Sequence, residues 1–246
     1  MENILLCIDD TDNIDSRGTG ELASLLADMV EKKGWGTSRP VTRHQLLIHP
    51  DIDYTSHNSS MCFKAALENG RFADMTRLAM DFLATESAKG SDPGLCVVHL
   101  DRLKDRQQLI AFGRTAKKNV LTKETAYRLA EALDIHLSEH GGTGIGVIGA
   151  LAGTGLRLSG NDGRFRGHFR INCLGDTLCL TEIKRQTHVE CARSLDGESL
   201  FDHDRIRLGN KVKSVLLENR STLLVFKSPE EPDIWQTCTK QQLKKY

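Results

Sequence analysis

The chain has no run of the roughly 18 apolar residues that a membrane-spanning helix requires. Its amino terminus, Met1-Glu2-Asn3, carries no basic segment ahead of the first apolar run, so it does not read as a secretory signal. Net charge is also missing. The 33 Lys+Arg balance 33 Asp+Glu, so no global field draws the chain toward nucleic acid or a membrane, and any RNA contact has to come from a local patch. There is no Cys-x-x-Cys pair. The seven cysteines are odd in number and scattered, which excludes a zinc ribbon or a disulfide framework and points to reduced thiols in the cytoplasm. No Gly-x-x-x-x-Gly-Lys-Ser/Thr loop and no Gly-x-Ser-x-Gly elbow occurs, so neither a P-loop enzyme nor an α/β-hydrolase is indicated. Internal repeats and low-complexity segments are absent as well.

What is present begins at Leu5-Leu6-Cys7-Ile8-Asp9-Asp10-Thr11-Asp12, followed by Arg17-Gly18-Thr19-Gly20. An apolar run suited to a buried strand ends in three carboxylates within four residues. Like charges this close repel, and at least one should hold its proton unless a cation neutralises the group. A divalent, oxygen-seeking metal such as Mg2+ carrying substrate phosphates is the simplest neutraliser. The competing reading makes these residues ordinary turn formers that cap local backbone. The order strand, acids, glycine turn, helix is the one a nucleotide site needs, and it favours function.

The helix follows from the spacing Leu22, Leu25, Leu26, Met29 and Val30, with Gly34 as its stop. Gly18 to Gly20 then sit at its amino end, where backbone N–H groups attract phosphate. Val41–Pro50 reads as a strand, 51–60 as a polar loop and Met61–Leu67 as a strand. Phe72, Met75, Leu78, Ala79, Phe82 and Leu83 mark a second amphipathic helix. After a turn at Gly90–Gly94 comes a buried strand, Leu95–Leu100, then a charged helix from Leu103 to Lys118. Thr122 caps a helix that buries Ala126, Leu129, Ala130 and Leu133. The segment from Leu156 to Phe226 is strand-rich, with turns at Asn161-Asp-Gly163 and Asp196-Gly197, and the tail from Thr239 is helical. At 246 residues the chain can form two domains, expected here as 1–118 and 119–246, each a mixed α/β unit in an α+β protein.

Other motifs bear on the site. Gly144-x-Gly146-x-x-Gly149 matches a dinucleotide fingerprint in letters only. Ile135–His140 makes a poor buried strand before it, and Asp162 comes too early after it. A small-residue helix packed tightly on a sheet fits better, with Gly142, Thr143 and Gly144 at its start approaching a phosphate through backbone donors. Arg43 and His44, with His57, Asn58, Ser59 and Ser60 in the loop that follows, suit phosphate or ribose recognition; a solvated loop with a surface arginine is the alternative. His136 and His140 lack a third ligand for zinc. Arg164, Arg166, His168 and Arg170 alternate, either as an RNA-facing stripe or as an exposed sheet face, and the balanced charge favours the sheet face.

Ile8-Asp-Asp-Thr-Asp12 with Arg17-Gly18, and Gly146-Val-Ile-Gly-Ala-Leu-Ala152, resemble the isoleucine-tRNA agmatinylcytidine synthetases. Those enzymes use ATP to phosphorylate the C2 carbonyl oxygen of a wobble cytidine and replace it with agmatine. The resemblance implies a kinase-like nucleotide-binding domain followed by a ferredoxin-like domain. It implies that Asp9, Asp10 and Asp12 hold Mg2+ and ATP phosphates, that Gly18 lies against those phosphates, and that Arg43 clamps an oxyanion. By their position beside those acids, Thr11, Arg17, Thr19 and Gly20 are expected in the nucleotide-binding set, and His44, His57, Asn58 and Ser59, by their residue types, on the substrate side. The family enzymes continue into an oligonucleotide-binding fold and a zinc ribbon that this chain is expected to lack. Where they carry a threonine pair after the Arg-Gly, this chain has Glu21-Leu22. The expected function is Mg-ATP-dependent phosphoryl transfer or ligation to a small-molecule or RNA acceptor. The alternative is a nucleotide- or RNA-binding module without turnover.

Overall fold

In the computed structural model, which describes residues 1–52, 58–172, 176–228, 231 and 233–246, the apolar run Ile4–Ile8 is a strand covered on both faces. The chain divides into two compact units, Met1–Ser159 and Gly160–Tyr246. The first unit runs β1 (Glu2–Asp9), α1 (Thr19–Lys32), β2 (Gly36–Ser38), β3 (Thr42–Gln45), β4 (Ser59–Leu67), α2 (Phe72–Glu86) and β5 (Gly94–His99). It continues with α3 (Arg106–Ala116), α4 (Lys123–Leu133), β6 (His136–Glu139) and α5 (Gly146–Leu158).

Its sheet is antiparallel, in the order β6-β5-β1-β4-β3, with β2 beside β3 along the same edge of β4. Side chains alternate between faces along β1, as the strand period of two requires. Ile4, Leu6 and Ile8 join the core under α1 and α2. Leu5 and Cys7 join the core under α3, α4 and α5. A strand buried on both sides reads as a continuous apolar run rather than an alternating one.

The division falls after Ser159 and not near residue 118. β6 pairs with β5, and α5 packs on β1, β4 and β5, so the segment after 118 completes the first core. Thr122 caps α4 as its sequence indicates, its hydroxyl accepting from the Thr125 N–H.

The second unit contains β7 (Arg164–Phe165), β8 (Thr177–Cys179), α6 (Leu180–Gln186), β9 (Cys191–Ser194), β10 (Arg205–Arg207), β11 (Ser214–Leu217), β12 (Arg220–Lys227) and β13 (Ile234–Thr237). Its strand order is β7-β11-β12-β13-β10-β8, with β9 parallel to β12 on the opposite edge. β11 and β12 form a hairpin through Glu218 and Asn219, both at positive φ (50° and 61°), the backbone a tight two-residue hairpin turn demands. α6 supplies Leu180 and Ile183 to a core with Val189, Ile206, Leu223 and Trp235. The two units together make an α+β protein, and among the described residues no helix is long and apolar enough to cross a membrane.

Candidate functional site

Asp9 is the last residue of β1 and continues the face that carries Leu5 and Cys7, so its side chain runs beneath α5. There it meets Gly149: a Cβ built at that glycine would stand 1.6 Å from Asp9 Oδ2. Gly153, one turn further, plays the same part above Ser60 and Cys7. The small residues of α5 therefore let the helix settle onto the strand ends. No Rossmann-type phosphate turn is involved, and the tight helix-on-sheet reading of the glycine pattern holds.

Asp9 is only 8% exposed. Burial pushes its carboxyl well above the ordinary range, with repulsion from Asp10 and then Asp12 adding to the rise, and a backbone hydrogen bond at Asp10 pulling partly the other way. Asp10 turns the chain in the left-handed region at φ 50°, a conformation that Asp and Asn tolerate better than other non-glycine residues. Thr11, fully buried, donates from its hydroxyl to Thr19 Oγ1 at 3.0 Å, and Thr19 donates in turn to Asp12 Oδ1 at 2.7 Å. This relay ties the acidic turn to the first residue of α1. Gly18 is the N-cap of that helix, with no side chain capping the first turn and Asp12 Oδ2 3.7 Å from where its Cβ would be.

Asp9, Asp10, Asp12 and Thr19 line one side of a cleft of about 810 Å3, part of it open to solvent. Its other walls are largely apolar, from Leu46, Ile52, Val120, Leu121, Ile145 and Ile148. Asn58 and Ser59 line it too. A fourth carboxylate, Asp51, and Asn119 also reach the cleft, and nothing in their local sequence marks them for it. The available signal is indirect: Val120 and Ile145 are apolar yet 44% and 39% exposed, as suits the mouth of a pocket.

The remaining expected site residues are placed differently. Arg43 donates from Nε to Ser59 Oγ at 2.9 Å, so it stands behind the cleft wall. His44 is fully buried, with Nε2 2.7 Å from Thr42 Oγ1. Arg17 pairs with Glu86 of α2. Gly20 lies buried in the first turn of α1. Gly142, Thr143 and Gly144 do not reach the cleft: the N–H groups of Thr143 and Gly144 donate to Asp92 Oδ1, and Lys123 Nζ donates to the Thr143 carbonyl at 2.7 Å. Two of the donors expected to meet a phosphate, the Thr143 and Gly144 N–H groups, are thus engaged by Asp92. His57 lies outside the described residues.

Among the described residues, no three His, Cys, Asp or Glu side chains are arranged to hold a metal ion by themselves. His136 and His140 instead share hydrogen bonds with Ser138 Oγ, at 3.0 and 2.8 Å. The six described cysteines are free thiols.

No family model and no curated protein matches this chain. Solved structures do. The chain is similar to a tRNA fluorescent labeling enzyme at 25% identity and TM-score 0.54, over 62% of this chain and 36% of that one. It is similar to TiaS in a complex with an isoleucine tRNA and ATP at 24% identity and TM-score 0.55, over 63% and 36%. The chain has a TiaS-like fold. A further TiaS structure, with the same tRNA, AMPCPP and agmatine, aligns over 74% of this chain and 43% of its own at 20% identity and TM-score 0.54. The resemblance to the isoleucine-tRNA agmatidine synthetases expected from Asp9–Asp12 therefore extends to the fold. This chain spans 36–43% of the length of those TiaS chains.

Proposed function

We propose that the cleft of the first unit binds Mg-ATP and that the chain transfers a phosphoryl group to an acceptor oxygen, or by doing so makes that oxygen the leaving group when an amine attacks the carbon that bears it. One observation carries this reading: three neighbouring carboxylates and the Thr19 hydroxyl line a cleft whose remaining lining is mostly apolar, with Asp51, Asn58, Ser59 and Asn119 as its other polar groups. That division suits a ligand with a charged end and a flat, weakly polar end. TiaS, whose fold the chain shares, is found with ATP and with AMPCPP.

The donor set fits a magnesium ion. Mg2+ is commonly held by one or two carboxylates, its remaining positions taken by water and substrate phosphates, so three closely converging protein ligands are not required. Asp10 and Asp12 would hold it, with Asp9 behind them. When bound, the ion would neutralise charge on the phosphates. The chain's own groups do the rest. Thr19 orients Asp12 through its hydroxyl, and burial beside Asp10 and Asp12 raises the proton affinity of Asp9. The first turn of α1 adds backbone donors near the same acids. Phosphoryl transfer depends mainly on such positioning and charge compensation. The acceptor is an RNA or a small molecule, and the partner of the cleft is a nucleotide.

The test is calorimetric titration of the full chain with a non-hydrolysable ATP analogue, with and without Mg2+, followed by turnover of labelled ATP with RNA and amine acceptors. Mg2+-dependent binding with transfer to an acceptor is the expected result. Binding without turnover under any condition would leave a nucleotide-binding module; no binding at all would remove the reading.

A further inference from the structure

Two histidines that the acidic cleft does not use converge on one oxygen. His136 Nε2 lies 3.0 Å and His140 Nε2 2.8 Å from the Ser138 hydroxyl, so both rings turn toward the middle of β6. Neither lines the cleft. The three side chains are half-buried and share one face, as residues two apart in a strand do. Leu137 packs into the core on the other face. Glu139 is held there by Lys123 Nζ at 2.6 Å and by the Tyr127 hydroxyl at 3.1 Å, both from α4.

β6 is the outermost strand of its sheet and, among the described residues, pairs only with β5. The His140 N–H donates to the Pro93 carbonyl at 2.8 Å, toward β5. Successive residues of an antiparallel strand alternate in direction, so the N–H and C=O groups of Leu137 and Glu139 face the open edge. Such an edge is a template for another strand.

Two imidazoles are half of a tetrahedral zinc site. Among the described residues the chain has no third ligand placed to complete it, and a second copy brings an identical pair by symmetry. Consider two β6 strands meeting antiparallel about a two-fold axis at Ser138. Leu137 then exchanges hydrogen bonds with the partner's Glu139, and His136 stands opposite the partner's His140. The histidines fall in pairs without hydrogen bonds, whose Cα atoms are about 4.5 Å apart and whose side chains lie closest. The axis is normal to the sheet, so all the rings stay on one face. Moving the axis to Leu137 would set His136 against the partner's Ser138 and break the set.

We infer that His136 and His140, with the same two residues of a second copy, bind a zinc ion across paired β6 edges. Both Nε2 atoms must be free of protons to ligate, so the one that donates to Ser138 moves its proton to Nδ1. A four-residue strand buries far less than the roughly 1,000 Å2 that a stable interface needs, so metal and dimer form together. The inference is independent of the Mg-ATP reading.

The experiment is sedimentation velocity of the full chain, stripped by a chelator and then titrated with Zn2+, with uptake read by competition against a chromophoric chelator. A monomer without zinc and a dimer holding one ion per two chains with zinc are expected. Mg2+ should leave the monomer unchanged, because it prefers oxygen ligands. His136→Gln/His140→Gln should stay monomeric and bind zinc more than about 100-fold more weakly, beyond the 10–100-fold cost of losing a supporting partner. Ser138→Ala and Asp10→Asn should dimerise with zinc as the wild type does, the second separating this site from the cleft. Circular dichroism checks that each variant is folded. Co2+ on the wild type gives a reading that needs no variant: imidazole ligands produce a tetrahedral visible band without thiolate charge transfer. A thiolate band would place the ion on cysteines and overturn the inference. So would one ion per chain on a monomer, no zinc uptake, or a zinc-driven dimer of the double variant.

Discussion

The Asp9 carboxylate lies against the backbone of Gly149, with Oδ2 only 1.6 Å from the point a Cβ at 149 would occupy. The acid and the glycine are 140 residues apart in the chain, yet each sets what the other can be. Gly149→Ala is expected to drive Asp9 out of position or lift α5 from the sheet, at about 1–3 kcal/mol, as overpacking in a filled core costs. Thermal melting should show a drop of roughly 2–4 °C per kcal/mol, and Mg-ATP binding should be lost with it. An unchanged melt and titration would show that the contact does not constrain the site.

Asp9→Asn tests the buried charge itself. The free carboxyl titrates near 3.8, and the folded one well above it. Between the two, the folded state binds more protons than the unfolded, so stability falls as pH rises through that window. Asp9 costs the folded protein nothing below the unfolded value and most above the folded value. The amide carries no charge, so the metal-free variant should melt higher than wild type at neutral pH and at the same point in strong acid. Added Mg2+ should raise the melting point of the wild type much more than that of the variant. Parallel pH profiles for the two proteins would refute the assignment.

At Asp10 the backbone is left-handed, and Asn is among the few residues that accept this at little cost. Asp10→Asn should therefore leave the fold intact while weakening Mg2+-dependent nucleotide binding by about tenfold or more, the loss of a charge-assisted contact. Asp10→Ala should show the same binding loss plus a stability loss of roughly 1 kcal/mol from the strained turn. Calorimetric titration and thermal melting, run on both variants, separate the two effects. Unchanged affinity in Asp10→Asn would count against a ligand role.

Thr19 joins Thr11 to Asp12 through one hydroxyl. Thr19→Val keeps the shape and removes the hydroxyl, leaving the buried Thr11 hydroxyl without its acceptor; the expected cost is about 1–3 kcal/mol. Thr19→Ser should restore both the melting point and nucleotide affinity. Failure of serine to rescue would assign the effect to packing of the methyl group instead.

The Asp92 carboxylate holds the Thr143 and Gly144 N–H groups. Asp92→Ala should lower stability by about 1–2 kcal/mol and leave nucleotide affinity unchanged, as a purely structural loop requires. A gain in affinity would show that the freed donors do reach a phosphate.

Much of the first unit is legible along the chain. The helix periodicities at Leu22–Val30 and Phe72–Leu83, the cap at Thr122 and the apolar runs of β1 and β5 all form the elements they indicate. Each is a local signal, carried by neighbours within one or two turns. The loop 142–144 misleads because its partner, Asp92, lies 52 residues before Gly144. Arg17 suggests a phosphate ligand, although Glu86 of α2 takes it, and Asp51 looks like one polar residue among many. The alternating Arg164–Arg170 pattern implies a straight strand, which the bend at Gly167 breaks.

The sequence by itself determined that three carboxylates follow a buried strand and precede a helix, because strand period, turn chemistry and helix spacing are written in adjacent residues. Only the tertiary structure decided that α5 lies over those acids, that Val120 and Ile148 face them across a cleft, and that residues 119–158 belong to the first unit. Those outcomes rest on contacts between distant segments, where backbone approach is set by the absence of a Cβ at Gly149 and Gly153 and by the pairing of β6 with β5. No local pattern carries that information, since the energy of close packing belongs to the pair of surfaces and not to either one alone.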